Sequence, residues 1–381
     1  MKVLHVITGL NIGGAEQQLR LMLRHLPVRS EVVTLTHPGA VAKGIEADGV
    51  PVTHLGMAGN RDLGALPRLT RIVRQGRYDL VHTHLYRACV YGRIAARIAG
   101  VRAVLATEHS LGDTQIEGRP LSPGTRALYR ATERLGTATV AVSPSVARRL
   151  EGWGVAPSRI HVVPNGIETA RFRYADGARP RTRAALGLPE DAFVVGGVGR
   201  LAPGKRFDRL VRAVASVPGA RLLLVGEGPE RQALLDTARE CGAADRVLLA
   251  GACEDPPPAG ADGADLPSLL AAMDVFVSTS PDETFGLAVV EALAAGLPAL
   301  YVACPAIDDL PPDAAPGARR IGPSVPELIS ALSGIRDARL ARLPQPAAAH
   351  RYDIAHSARQ LMSLYEQAVH GTPSPAKRAA P

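Results

Sequence analysis

Val3-Leu4-His5-Val6-Ile7-Thr8-Gly9-Leu10-Asn11-Ile12-Gly13-Gly14-Ala15-Glu16 sets the pattern from which the rest of the chain can be read. Val3–Ile7 is a short apolar, β-branched run of strand length. A glycine-rich turn follows, and Ala15–Leu26 carries apolar residues at helical spacing. The turn lacks the glycine spacing of a dinucleotide fingerprint. Gly13 and Gly14 still leave room for backbone amides to approach a phosphate or an acceptor; the alternative is an ordinary strand–helix turn.

The same alternation continues outward. Strands are expected at Glu31–Leu35, Asp79–His82, Val104–Thr107 and Thr139–Val142, with helices at Leu66–Arg74, Tyr91–Ala99 and Thr125–Leu135 and a further helix, capped by Ser143 or Ser145, ending near Leu150. After a strand at Ile160–Val163, the stretch Glu168–Pro180 has no periodicity and reads as a linker. The alternation then restarts, with strands at Phe193–Gly199, Arg221–Val225, Arg246–Leu249 and Val275–Ser278 and helices at Phe207–Ser216 and Leu287–Ala295. Alternation of this kind predicts two doubly wound α/β domains with parallel sheets, facing a cleft. A last helix is expected over His350–His370, returning to the first domain. The Pro/Gly/Ala-rich stretch 256–265 and the tail 372–381 are expected to be mobile.

Composition narrows the class. The 381 residues, 46% hydrophobic and 21% charged, are those of a globular chain with a sizeable core. Cys89, Cys241, Cys253 and Cys304 lie far apart, which argues against zinc ribbons and disulfide scaffolds and for buried thiols in a reducing compartment. The N-terminal apolar run is too short for a signal peptide and no stretch is long enough to span a membrane, so a cytoplasmic protein is expected. The net charge of +8 is uneven: residues 1–175 hold 23 Lys and Arg against 12 Asp and Glu, and residues 176–381 hold 21 against 24. The basic half could hold an anionic acceptor or touch the inner face of an anionic membrane; the alternative is a solvated basic face. With 4% aromatic residues and no basic–aromatic cluster, no nucleic-acid partner is expected.

Three segments carry candidate chemistry. In Leu287–Ala295 the only charge, Glu291, is expected to be buried, where a sugar diol could satisfy both its oxygens; a structural partner is the alternative. Glu283 precedes that helix, and Phe285, Gly286 and Leu287 open it, offering backbone amides and a helix dipole to an anion. Gly199-Arg200-Leu201-Ala202-Pro203-Gly204-Lys205-Arg206 follows a strand. It has most of a P-loop's spacing but Arg206 where Ser or Thr is needed, so Arg200 and Lys205 are read as a diphosphate-neutralising pair. No Asp-x-Asp occurs, so no metal is expected on the diphosphate. His82 and His84 flank a strand end without an apparent third ligand. His109 ends another strand, where a ring can donate to a sugar hydroxyl.

These segments resemble glycosyltransferase family 4, of the GT-B fold with two Rossmann-like domains. The resemblance rests on Glu283-Thr284-Phe285-Gly286-Leu287-Ala288-Val289-Val290-Glu291, similar to the family's Glu-x7-Glu signature, on Gly199-Arg200-Leu201 with Lys205, and on Gly13-Gly14-Ala15-Glu16. Val163-Pro164-Asn165-Gly166-Ile167 and Val225-Gly226-Glu227-Gly228-Pro229 fit as well, and the likeness runs to about Val369. It implies an acceptor-binding domain over 1–170, a donor-binding domain over 171–349, a returning helix over 350–371 and a disordered tail over 372–381. It also implies a retaining, metal-independent hexosyltransferase using a nucleotide sugar, with a UDP-sugar expected, and a glycan, lipid-linked or small-molecule acceptor.

By the same resemblance Glu291 would hold the ribose, and Glu283 and His109 would contact the transferred sugar. Arg200, Lys205, Phe285, Gly286 and Leu287 would hold the diphosphate, with Gly13 and Gly14 on the donor. Cys304-Pro305-Ala306-Ile307-Asp308-Asp309-Leu310-Pro311-Pro312 departs from the family's usual Gly-Gly-x-Pro-Glu segment. An epimerase or phosphorylase on the same scaffold, and a non-catalytic nucleotide-sugar-binding module, are the competing readings.

Overall fold

A computed structural model describes residues 1–59, 62–112, 115–117, 119–253, 264–338 and 341–371. The expected mobile tail 372–381 and nearly all of the 256–265 stretch lie outside the described residues. The chain divides into two units: Met1–Asn165 together with the segment that begins at Ile354, and Gly166–Asp353.

The first unit is built on β1 (Lys2–Ile7), β2 (Arg29–Thr34), β3 (Val52–His54), β4 (Leu80–His84), β5 (Ala103–Glu108), the short hairpin pieces β6 (Gln115–Ile116) and β7 (Arg119–Pro120), β8 (Ala138–Ala141) and β9 (Ile160–Val162). Seven of these form a parallel sheet in the order β3-β2-β1-β4-β5-β8-β9. One face packs Leu4, Val6, Val81 and Val104 against the helices Ala65–Gly76 and Tyr86–Ala99. The other packs Val3, Leu80, Leu105 and Val140 with Met22 and with Ile354, Leu361 and Tyr365 of the last helix, Ile354–His370. Burial on both faces explains why these strands read as continuous apolar runs.

The second unit continues with β10 (Phe193–Val198), β11 (Ala220–Val225), β12 (Val247–Gly251), β13 (Val275–Ser278), β14 (Ala299–Tyr301) and β15 (Ala318–Arg320), parallel in the order β12-β11-β10-β13-β14-β15. Its core gathers Val195, Leu222, Leu224 and Val275 with Leu210, Val214 and Leu328. The buried Arg183 donates to the carbonyls of Ala192 and Ala272 and, at 2.8 Å, to Asp274, fastening the helix Ala178–Ala185 to the foot of the sheet.

Several expectations shift. The expected linker 168–180 is not the boundary, which falls at Asn165/Gly166, and the helix Ala178–Ala185 begins inside that stretch. One of the charges read as linker-like, Arg179, pairs with Asp274, which the buried Arg183 further along the helix also holds. The single expected helix 350–370 is broken at Tyr352–Asp353, because the Tyr352 carbonyl accepts from the Ile167 amide and Asp353 pairs with Ile167 as an isolated bridge. Of the two proposed caps, Ser143 accepts from the Val146 amide at 3.1 Å. Cys89 and Cys304 are buried thiols, whereas Cys241 and Cys253 are only half-buried. Among the described residues no helix is long and apolar enough to cross a membrane.

Candidate functional site

In each sheet the strand order reverses beside the unit's first strand, at β1/β4 and at β10/β13, and a crevice outside the strands' carboxyl ends is where such folds place ligands. The sequence-derived candidates sort themselves onto these two places.

In the second unit β10 leads into Gly199–Lys205. This loop hangs on its neighbour: the Gly199 amide donates to the Val225 carbonyl, the Leu201 amide to the Glu227 carbonyl and the Glu230 amide to the Leu201 carbonyl, each at 2.9 Å. A Cβ on Gly226 would land on the Gly199 carbonyl, and one on Gly228 on the Leu201 carbonyl. That is the physical role of Val225-Gly226-Glu227-Gly228-Pro229: the glycines let two loops touch backbone to backbone. From the β13 side, Thr279 Oγ1 donates to the Lys205 carbonyl at 2.7 Å.

Lys205 Nζ donates to Glu283 Oε1 at 2.5 Å, with the lysine side chain 33% and the glutamate 14% exposed. A carboxylate this shielded needs its partner, because an unpaired charge there would be costly. Arg200, on the same loop, is exposed and among the described residues makes no ion pair, so of the two cations expected to neutralise a diphosphate only Lys205 is held by a carboxylate.

Two residues beyond Glu283, the buried Phe285 packs edge-on against Tyr352 with centroids 5.0 Å apart. Gly286 caps the helix Leu287–Ala294 with φ 98°, in the left-handed region that favours glycine, and a Cβ there would strike Cys304 Sγ. The departing segment 304–312 therefore has a role: Cys304 Sγ lies 3.5 Å from the Phe285 carbonyl, and the Ala306 amide donates to that same carbonyl at 2.9 Å, holding the turn from behind. The Val289 and Val290 amides donate to the Gly286 carbonyl, while among the described residues those of Leu287 and Ala288 find no backbone acceptor and can face an anion. Glu291 is half-buried rather than buried: Val289, Val290, Ala292, Leu293 and Ala294 are covered, while Leu287, Ala288 and Glu291 share the open face. The all-apolar composition concealed this, because the open face carries Leu and Ala.

In the first unit Gly13 caps the helix Gly14–His25 beyond β1, and a Cβ on Gly13 would meet the Glu16 carboxylate. Beside it stands a group the sequence showed only in part. His82 and His84 lie on β4; His5 on β1 pairs in register with His82, and ring nitrogens of the three fall within 4.8 Å of one another. The third histidine judged absent is thus present. Its hint was a polar residue inside the apolar run Val3–Ile7.

All three rings are buried, as is His109 at the end of β5. His5 Nδ1 lies 3.2 Å from His84 Nε2, His84 Nδ1 lies 3.2 Å from His109 Nε2, and His82 bridges Thr107 Oγ1 at 2.7 Å and the Tyr365 hydroxyl at 2.6 Å. Burial lowers the pKa of His5 to about 3 and of His109 to about 4, and holds His82 and His84 well below the usual value, so all four are neutral at pH 7. A cavity of about 30 Å³, room for one or two waters, is lined by His82, His84, His109, Thr107, Gln18 and Asn165 among others. The polar atoms of His109 and its neighbours are thus collected on one side of the sheet.

Residues 12–171 match the model of Glycosyltransferase Family 4, and residues 178–318 that of Glycosyl transferases group 1. A D-inositol 3-phosphate glycosyltransferase of Acidothermus cellulolyticus is 37% identical over 61% of this chain and 54% of its own length. One of Streptomyces scabiei is 32% identical over 77% of this chain and 70% of its own. The match thus spans 54% of the length of the first of these relatives and 70% of the second. Among solved structures, Anabaena HepE in complex with UDP and glucose superimposes with a TM-score of 0.79 at 25% identity, over 95% of this chain and 98% of that one.

Proposed function

We propose that this chain, which belongs to glycosyltransferase family 4, moves a hexosyl group from a UDP-sugar to an acceptor hydroxyl with retention of configuration and with no metal on the diphosphate. The observation that carries the reading is the Lys205–Glu283 pair, seated beside a glycine-capped helix N-terminus at the carboxyl ends of β10 and β13. Each member neutralises the other. A donor offers both a better partner: the lysine turns to the diphosphate and the glutamate to sugar hydroxyls.

In this reading the amides opening Leu287–Ala294, with Arg200 and Lys205, take up the negative charge that grows as the bond from the anomeric carbon to the phosphate oxygen breaks. Glu291, on the open helix face, accepts from the ribose hydroxyls. Phe285 and Gly286 hold the turn in shape, and Gly13 and Gly14 bring backbone amides to the donor. His109 is assigned to the transferred sugar. The acceptor oxygen bonds to the anomeric carbon on the face the phosphate leaves, and its proton passes to the departing phosphate oxygen. The acceptor itself is read as anionic, a phosphorylated small molecule or a lipid-linked glycan. The relatives named above are D-inositol 3-phosphate glycosyltransferases, and residues 1–175 carry the chain's positive excess. The same basic surface is assigned a salt-sensitive contact with anionic membrane at the cytoplasmic face.

The test is a panel of nucleotide sugars assayed for UDP or GDP release with excess chelator present, with the product's anomeric configuration read by NMR. Turnover of a UDP-sugar under chelator with an axial product supports the proposal. A strict divalent-cation requirement at the donor removes the metal-free reading, and an inverted product removes retention.

A further inference from the structure

His109 Nε2 is engaged by His84 Nδ1 at 3.2 Å, so Nδ1 is the ring nitrogen that faces away from His84. His84 in turn presents Nε2 to His5 Nδ1 at 3.2 Å, and His5 Nε2 lies 3.5 Å from Ser30 Oγ. Ser30–His5–His84–His109 is therefore a continuous chain running from β2 across β1 and β4 to the end of β5.

A neutral imidazole has one N–H donor and one bare acceptor nitrogen. In a chain joined only through Nδ1-to-Nε2 contacts, the tautomer of one ring dictates the next. If Ser30 donates to His5, all three rings carry their proton on Nδ1, and His109 presents an N–H. If the chain runs the other way, all three carry it on Nε2, and His109 presents a bare nitrogen. A mixed chain would set two N–H groups, or two lone pairs, face to face inside the core. Burial keeps every ring uncharged near neutral pH, so this either-or is not blurred by protonation.

We propose that Ser30, His5 and His84 are positioning residues that hold His109 in one tautomer, and that this is Nδ1–H, because only that form lets His109 donate to a sugar hydroxyl as the function proposed above requires. The role at the transferred sugar rests on the function proposed above; the shared tautomer does not. A hydrogen-bonded chain accounts for the cluster better than a metal site. Both nitrogens of His5, His82 and His84 already have partners, and accepting a cation would cost His82 its bond to Thr107 or to Tyr365.

The experiment uses the full chain labelled with ¹⁵N-histidine, with long-range ¹H–¹⁵N spectra at pH 7 assigned by single-histidine variants. The expected result is one tautomer, Nδ1–H, for His5, His84 and His109. In His5→Phe, which cuts the chain without touching His109, His109 should shift towards Nε2–H or a mixture. His5→Asn, whose amide reproduces a donor near Nδ1, should restore it. Ser30→Ala removes the chain's terminal hydroxyl, and with it the Ser30–His5 contact, with the least disturbance to packing should His5→Phe fail to fold.

With the UDP-sugar turned over in the donor panel, kcat should fall about three- to tenfold in His5→Phe, the effect of one weakened hydrogen bond, with KM little changed and recovery in His5→Asn. Mixed tautomers in the native chain, a His109 signal indifferent to both cuts, or Zn²⁺ added alone moving the ring signals at stoichiometric ratio would each overturn the proposal. If the tautomers behave as expected but His109→Ala turns over normally, the chain stands and the assignment of His109 to the sugar falls.

Discussion

The two units carry the same kind of sheet with the same kind of strand-order reversal, yet they treat polarity in opposite ways. At the ends of β10 and β13 the polar groups are charged, partly exposed and held by loops: Lys205 with Glu283, Arg200 outside, Glu291 on an open helix face. At the ends of β1, β4 and β5 they are neutral, buried and held by one another. A half-exposed ion pair can exchange partners cheaply, which suits a site that must accept an anion. A buried neutral chain cannot change charge cheaply, which suits a site that must keep one orientation.

Acid offers the strongest way to break this contrast. The four buried rings His5, His82, His84 and His109 have pKa values below those of the unfolded chain, so the unfolded state binds more protons as pH falls, and stability is lost going down from about pH 6.5. Each ring contributes a loss of about 1.4 kcal/mol per pH unit until its folded-state pKa is reached. The second unit holds a single histidine, the exposed His350. The only tryptophan, Trp153, is buried in the first unit and reports on it alone. Denaturant unfolding followed by its fluorescence should move to a lower midpoint between pH 6.5 and 4.5; an unchanged midpoint would erase the distinction between the units.

Next in size is the charged site. Lys205→Ala and Glu291→Ala should each weaken UDP-sugar binding by about 1.5–3 kcal/mol, the range for hydrogen bonds to charged groups, with circular dichroism unchanged. Calorimetry giving native affinity for both would detach these residues from the donor. Gly286→Ala should cost about 1–3 kcal/mol, because alanine is strained at φ 98° and its methyl meets Cys304 Sγ. The thermal midpoint should fall without altering the Trp153 signal's acid sensitivity. The smallest effect is expected for Tyr365→Phe, which removes one hydrogen bond to His82 for about 0.5–1.5 kcal/mol in the first unit only; a loss of donor affinity there would blur the comparison.

Much of this arrangement could be read from the chain itself, and the failures have a common cause. Strand–helix alternation located both sheets, and strand-end residues such as Lys205, Glu283 and His109 stand where that pattern puts them. What stayed hidden depends on register between strands distant in sequence. His5 joins His82 only because β1 lies beside β4 in that alignment, and Thr279 reaches the Lys205 carbonyl only because β10 adjoins β13. The segment 304–312 looked like a departure of unknown purpose because a cysteine's packing under a turn leaves no trace in spacing. Glu291 was misjudged because an uncovered helix face made of leucine and alanine has the same composition as a covered one.

The first unit is assembled from two pieces of chain separated by the whole of the second. During synthesis, then, the ribosome delivers β1 to β9 long before the helix that closes over Val3, Leu80 and Val140. The second unit is complete in a single run and can finish while the earlier-made sheet still exposes one apolar side. At about 5–20 residues per second, that side waits on the order of ten seconds or more for its lid, an interval in which a chaperone or a premature stop would decide the protein's fate.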